Sequence, residues 1–299
     1  MELTKIRQEI DRLDEELVRL LCERLDYSRQ SATYKKEHGL EVFYEDRERE
    51  VLEAVAAKAD ALDKDGYGYG IANRLIYSTV VEVSRSLQYK MLGAGEKLRG
   101  ILESADIHWA ENPRVVCQGV RGTLADEAAR LMFPDVAPTF VNRRGDVIDA
   151  VKSGQAEYGV LAVKGDPFYK VLDYVAENEC YVAARIYAQE DEIVKGSGAQ
   201  FVLISSELLS MPNANHTILR FALPHKTGAL YHTLGRFALE GLNLRTLHSR
   251  PLENDENGLA LYLDFDGNVK NPRTADLLCA LSEELEQVVL YGNYREYVI

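Results

Sequence analysis

Arg24 and Lys35 lie eleven residues apart in a stretch that contains no helix breaker. At 100° per residue, eleven steps make about 1,100°, which is three turns and about 20° more, so both cations stand on one stripe of a helix with roughly 16 Å between their Cα atoms. Two long side chains can close that distance on a small anion. Arg7 precedes Arg24 by roughly 25 Å along the same helix and cannot reach the same ligand from the same chain. A site that uses all three cations must therefore take Arg7 from a second subunit. Arg47 and Glu48 open a second helical pattern, where a carboxylate in the first turn also complements the helix dipole. Ser84 and Gln88, at i and i+4 of a third pattern, put a hydroxyl and an amide on one side of an otherwise apolar stretch. Singly, each of these is an ordinary solvated side chain. Together they form a set of cations, one carboxylate and two hydrogen-bonding groups suited to holding an anionic small molecule.

The elements that must position them fill residues 1–95. Leu3, Ile6, Ile10, Leu13, Leu17, Leu20, Leu21 and Leu25 recur in steps of three and four, which predicts one amphipathic helix from Met1 to about Gly39. It would be roughly 55 Å long, more than a domain of about 95 residues can cover with its own short helices, so it needs a partner. A connector, Gly39-Leu-Glu-Val-Phe-Tyr44, leads to a charged helix from about Glu45 to Ala61. The turn Gly66-Tyr-Gly-Tyr-Gly70 then precedes a third helix marked by Ile71, Leu75, Ile76, Val80, Val83 and Leu87. Residues 96–112 read as a connector with a short helix.

From Arg114 the period changes. Residues 113–207 read as strands at Val115, Thr139–Val141 and Tyr158–Val163 alternating with helices at Ala125–Met132 and Val147–Ser153, an α/β block with a parallel sheet. Strands at Tyr181–Tyr187 and Gln200–Ser205 close it. Residues 213–299 follow the order βαββαβ, a split ferredoxin-like α+β pattern whose sheet has helices on one face only.

Composition sets the outer limits. The 299 residues are 46% hydrophobic, enough for two or three cores, and the net charge of −13 argues against a general nucleic-acid or acidic-membrane binder. The four cysteines make no CxxC pair and read as reduced, buried residues rather than a metal or redox site. A charged, amphipathic N-terminus and the lack of an apolar run of about 20 residues point to a cytoplasmic protein.

The order IRQEIDRLDEELVRLLCERL, Lys35, DREREVLEAV and VVEVSRSLQ resembles the all-helical chorismate mutases over Leu3–Gln88. That family forms an intertwined helical homodimer. The resemblance implies rearrangement of chorismate to prephenate, a pericyclic shift that needs no nucleophile, cofactor or metal. It is accelerated by holding the dianion compact and stabilising charge on the breaking ether oxygen. Arg24 and the second subunit's copy of Arg7 would clamp the two carboxylates, Lys35 and Gln88 would donate to the ether oxygen, and Glu48 would accept from the ring hydroxyl. Arg47 and Ser84 would support the carboxylate and the helix ends. Tyr44 stands where the family commonly has Asp.

The middle block is similar to the start of a prephenate dehydratase domain, from Gly119-Val-Arg-Gly122-Thr123 through Val147–Val163. The family's Pro-Ile-Glu-Asn is here Ala162-Val-Lys-Gly165, its Thr-Arg-Phe is Ala199-Gln200-Phe201, and a second lobe is missing. This implies a truncated, non-catalytic domain. The last block resembles the ACT domain that follows dehydratases, with Gly228-Ala229-Leu230 opening a helix and His248-Ser249-Arg250-Pro251 ending a strand. Backbone N–H groups at such a helix start suit the carboxylate of a free amino acid. The implied effector is Phe or Tyr, with Asn243 supplied by a facing domain. His248 replaces the family's usual Glu. A bifunctional mutase and dehydratase, and a catalytically silent amino-acid sensor, are the alternatives.

Overall fold

The computed structural model describes residues 2–163, 168–188, 199–224, 226–252 and 255–299. The chain divides into two compact units, Met1–Gly95 with Tyr231–Arg236, and Glu96–Leu230 with Phe237–Ile299.

In the first unit, α1 (Leu3–His38), α2 (Glu45–Leu62) and α3 (Tyr69–Leu92) are the three expected helices. Gly39 ends α1 in the left-handed conformation at φ 64°, and the backbone N–H of Leu40 closes the last turn on the Lys35 carbonyl. Glycine is needed there because a Cβ is crowded at positive φ. Both α1 and α2 pack on α3. Only Ser28 and Ala32 of α1 are buried. Every residue from Glu2 to Glu23 is exposed, including eight large apolar side chains from Leu3 to Leu21 that are 39–61% exposed. The amphipathic face predicted from the sequence is thus present and, up to Leu21, has no cover from the described residues. Cys22 lies on that open half of α1 and is exposed, against the expectation of burial, whereas Cys117, Cys180 and Cys279 are buried free thiols.

The second unit holds α4 (Glu96–Ser104), β1 (Val115–Gln118), α5 (Leu124–Met132), β2 (Thr139–Val141), α6 (Arg144–Lys152), β3 (Tyr158–Val163), α7 (Phe168–Glu177), β4 (Tyr181–Tyr187), β5 (Gln200–Ser205) and β6 (His216–Pro224). It continues with β7 (Leu244–Leu252), β8 (Asp255–Asp266), α9 (Pro272–Glu284) and β9 (Glu286–Val298). Between β6 and β7 runs α8 (Ala229–Leu239), part of which groups with the first unit. The βαββαβ order read for residues 213–299 is the observed order of elements.

The nine strands among the described residues lie in one sheet, ordered β2-β1-β3-β5-β4-β9-β6-β8-β7. Strands from both sides of the expected 207/213 boundary share this sheet, because β9 runs parallel to β4 and antiparallel to β6. At the seam a Cβ on Gly292 would run into the Val182 carbonyl oxygen, so only glycine lets the two strands approach. The sheet is mixed rather than parallel: β1 pairs in parallel with β2 and β3, but β5 is antiparallel to β3 and β4. Val171, Leu172 and Val175 of α7 enter a core with Val182, Tyr262 and Tyr291, and a second core gathers Ala128, Phe133, Tyr158, Val160 and Leu203.

Candidate active site

Arg24, Ser28, Ser31 and Lys35 occupy one stripe of α1, in steps of four, three and four. The C-terminal half of that helix lies against α3, so the stripe faces Ser84 and Gln88. The Arg24 guanidinium donates to Ser84 Oγ at 2.6 Å, and that hydroxyl donates to the Val80 carbonyl at 2.9 Å. Ser28 Oγ donates to the Ser84 carbonyl at 3.2 Å and accepts from Gln88 Nε2 at 3.1 Å. Gln88 is 9% exposed, and its Oε1 is buried with no hydrogen-bond partner among the described residues. A buried polar atom left in this way costs free energy unless a ligand or water meets it.

Lys35 Nζ donates to the Val42 carbonyl at 2.6 Å and stands 5.3 Å from the centre of the Tyr44 ring. An ammonium has three donors, so this bond leaves two. Burial lowers the Lys35 pKa below the ordinary lysine value, and the nearby Glu48 charge opposes that shift. Tyr44 is the N-cap residue of α2 and makes no side-chain cap, and it lines the site instead. Arg85 of α3 donates from Nη1 to both Glu48 oxygens, at 3.3 and 3.1 Å. Arg47 points outward and pairs with Glu50 at 3.1 Å, although its side chain also lines the site.

These groups surround one cavity of about 420 Å³, lined by Arg24, Lys35, Arg47, Glu48, Ser84 and Gln88 with Tyr27, Ser28, Ser31, Tyr44 and Arg85. Six of the seven residues expected to touch substrate are brought together. Arg7 is exposed and is not among them, in line with the reach limit set by helix geometry. Ser28, Ser31 and Arg85 were missed. The serines were visible in the spacing, since they sit between Arg24 and Lys35 on the same stripe. Arg85, three residues after Glu82, reads in sequence as half of a surface ion pair.

The residues expected to bind an effector are not gathered in the same way. Gly228, at φ 85°, precedes α8, and Leu230 is exposed. Asn243 donates to Asp266 Oδ2 at 3.2 Å. His248 and Ser249 are exposed on the edge strand β7. Arg250 lies 4.6 Å from the Tyr169 ring centre and 3.9 Å from Asp173 Oδ2, beside a cavity of about 420 Å³ shared with Arg220 and Tyr262. Gly228–Leu230 do not line that cavity. In the dehydratase-like block, Ala199 leads into β5, and Gln200 Oε1 accepts from Arg185 at 3.1 Å. Ala162 and Val163 end β3, and Lys164 and Gly165 lie outside the described residues.

The family model for chorismate mutase type II matches residues 6–89, which contain every side chain of the first cavity. A bifunctional chorismate mutase/prephenate dehydratase of Aquifex aeolicus is 22% identical over 357 aligned positions, covering 98% of this chain and 98% of the relative. The alignment is longer than this chain, so the relative carries segments that are absent here. A prephenate dehydratase of Amycolatopsis methanolica is 27% identical over 147 residues, 48% of each chain. The X-ray structure of a prephenate dehydratase from Streptococcus mutans shares the fold, with a TM-score of 0.50 and 21% identity over 62% of this chain and 98% of that one. The chain carries a chorismate mutase domain fused to a prephenate dehydratase-like region. One relative over its whole length is a bifunctional enzyme.

Proposed function

We propose that the protein is a chorismate mutase whose active site is the cavity between α1, α2 and α3, completed in a homodimer and regulated by an aromatic amino acid. The observation that carries this reading is the convergence of Arg24, Lys35, Glu48, Ser84 and Gln88 on one cavity of about 420 Å³. Chorismate is a dianion with a ring hydroxyl and an ether bridge. Arg24, fixed by Ser84, takes one carboxylate, and Arg7 of a second copy takes the other, where a guanidinium fork suits the planar anion. Lys35 spends its remaining donors, and Gln88 its second amide proton, on the ether oxygen as that bond breaks. Glu48 accepts from the ring hydroxyl. The exposed apolar face of α1 supports the second copy, since seven large apolar side chains in one stripe, Leu3, Ile6, Ile10, Leu13, Leu17, Leu20 and Leu21, are a strong association surface. Arg7 is exposed on the same half of α1, which leaves it open to a second copy.

The dehydratase-like block is non-catalytic in this reading, and residues 213–299 act as an ACT domain that binds Phe or Tyr through Gly228–Leu230, Asn243 and His248–Arg250. The full-length bifunctional relative favours a second reading, in which prephenate is also dehydrated and decarboxylated. One assay separates them. Chorismate loss and product identity are followed with and without Phe, Tyr or Trp, and prephenate is then supplied alone. Prephenate as the only product, with a chorismate dependence that shifts in one amino acid, supports the first reading. Phenylpyruvate above background establishes the second, and an unchanged chorismate curve in all three amino acids removes the regulatory claim.

A further inference from the structure

Behind the substrate cavity lies a second one of about 280 Å³, and Glu48, Val81 and Arg85 line both. The wall between the cavities is therefore partly an ion pair. Arg85 is 12% exposed and Glu48 25%, with Arg85 Nη1 shared between the two Glu48 oxygens. Two further contacts fix the guanidinium. Its centre stands 4.8 Å over the Phe43 ring, its Nη2 is 3.8 Å from Glu82 Oε1, and Glu82 itself is 7% exposed. On the far side, His232 Nδ1 is 3.5 Å from the same Glu82 oxygen, and Tyr231–Arg236 belong to the same compact unit as α1–α3.

A carboxylate that accepts from a substrate hydroxyl must be ionised and must not rotate away. An ionised carboxylate has acceptor sites for about four hydrogen bonds, so being held from one side is compatible with taking a further proton donor. Arg85 meets both needs: its permanent charge favours the ionised form, and its stacked guanidinium defines the angle of the Glu48 head group. Resting on the mutase reading above, we infer that Arg85 is the positioning residue for Glu48, held in place by Phe43 and Glu82. It touches no reacting atom; it acts through Glu48.

The test is a double-variant cycle on the full chain, read as kcat/KM for chorismate. Arg85→Gln lowers kcat/KM about 10- to 100-fold, and Arg85→Lys, which keeps the charge but loses the fork, recovers part of the loss. In a Glu48→Gln background, Arg85→Gln costs nothing more, because the group it positions is no longer a carboxylate. A residue that only packed α3 would give losses that multiply, and that outcome overturns the inference. Since Arg85→Gln leaves Glu82 buried without this cation, the paired change Glu82→Gln with Arg85→Gln serves as the second variant; it is expected to melt near the wild-type temperature and to show the same loss. Arg85→Gln at the wild-type rate overturns the inference alone. A wild-type protein that does not consume chorismate overturns the mutase reading and this inference with it.

Discussion

Two polar clusters in this molecule are built from similar residue types and face cavities of similar size, yet they are arranged differently. In the helical unit, Lys35 has donors left over, Gln88 Oε1 lacks a partner among the described residues, and the groups aim at open volume. In the sheet unit, Asp173 of α7 accepts from Arg220 at 3.3 Å, from Tyr262 at 2.7 Å and from the Tyr291 hydroxyl, while Arg250 stands 3.9 Å away. Tyr294 likewise donates to the buried Asp264 at 2.5 Å. Burial holds the Asp264 carboxyl above its usual range and pushes the Tyr291 and Tyr294 phenols up. The contrast is one of degree: the helical cluster keeps polar groups in reserve toward open volume, as a binding site requires, whereas the sheet cluster spends most of its groups on one another, with Arg220 Nε and Asp264 Oδ1 left without a hydrogen-bond partner among the described residues.

The contrast can be broken most sharply at Lys35 and Gln88. Replacing either by Ala is expected to lower chorismate turnover about 100- to 1,000-fold with the circular dichroism spectrum unchanged; a variant with normal turnover would remove the assignment. The next largest effect comes from mixing. Arg7→Ala and Arg24→Ala chains, each inactive alone, are expected to regain about a quarter of the wild-type rate when co-expressed, because half of the dimers formed carry one intact site. If both residues served the same chain's site, mixing would restore nothing.

On the other side of the comparison, Asp173→Asn is expected to destabilise the sheet unit by about 2 kcal/mol, since it removes the charge and one of the two acceptor oxygens that Arg220 and two phenols share. Chorismate turnover should be unchanged at temperatures where the protein is folded, and a loss of activity without a loss of melting temperature would mean that the network is not merely structural. The smallest effect is in pH. The Lys35 ammonium is charged and competent below its pKa and is lost as pH rises through it. Because burial lowers that pKa, the alkaline fall in kcat/KM should begin at a lower pH than a free lysine would give. Lys35→Arg should carry that limb upward, and a profile identical to wild type would assign it to another group.

Much of the site was legible because helices convert spacing into geometry. Leucines at steps of three and four fixed α1, and the eleven-residue interval placed Arg24 and Lys35 on one cavity. Arg85 was not legible, since its partner Glu48 is 37 positions away on another helix and no local pattern joins them. The sheet was harder. Val171, Leu172 and Val175 carry the helical period of α7 over too short a run to stand out, and the antiparallel setting of β5 between β3 and β4 depends on partners that alternation does not name. The pairing of β4 with β9, which unites the two sheet halves, leaves in sequence only the small residue at Gly292.

Closing that seam sets the two units apart in time. The helices close on neighbours a few tens of residues away, whereas setting Val182 opposite Gly292 requires closing a loop of about 110 residues before any ladder bond rewards it. Helices α1–α3 should therefore reach their contacts with one another well ahead of the sheet, and a nascent chain would hold α1 formed, with its apolar face waiting, before those strands have met.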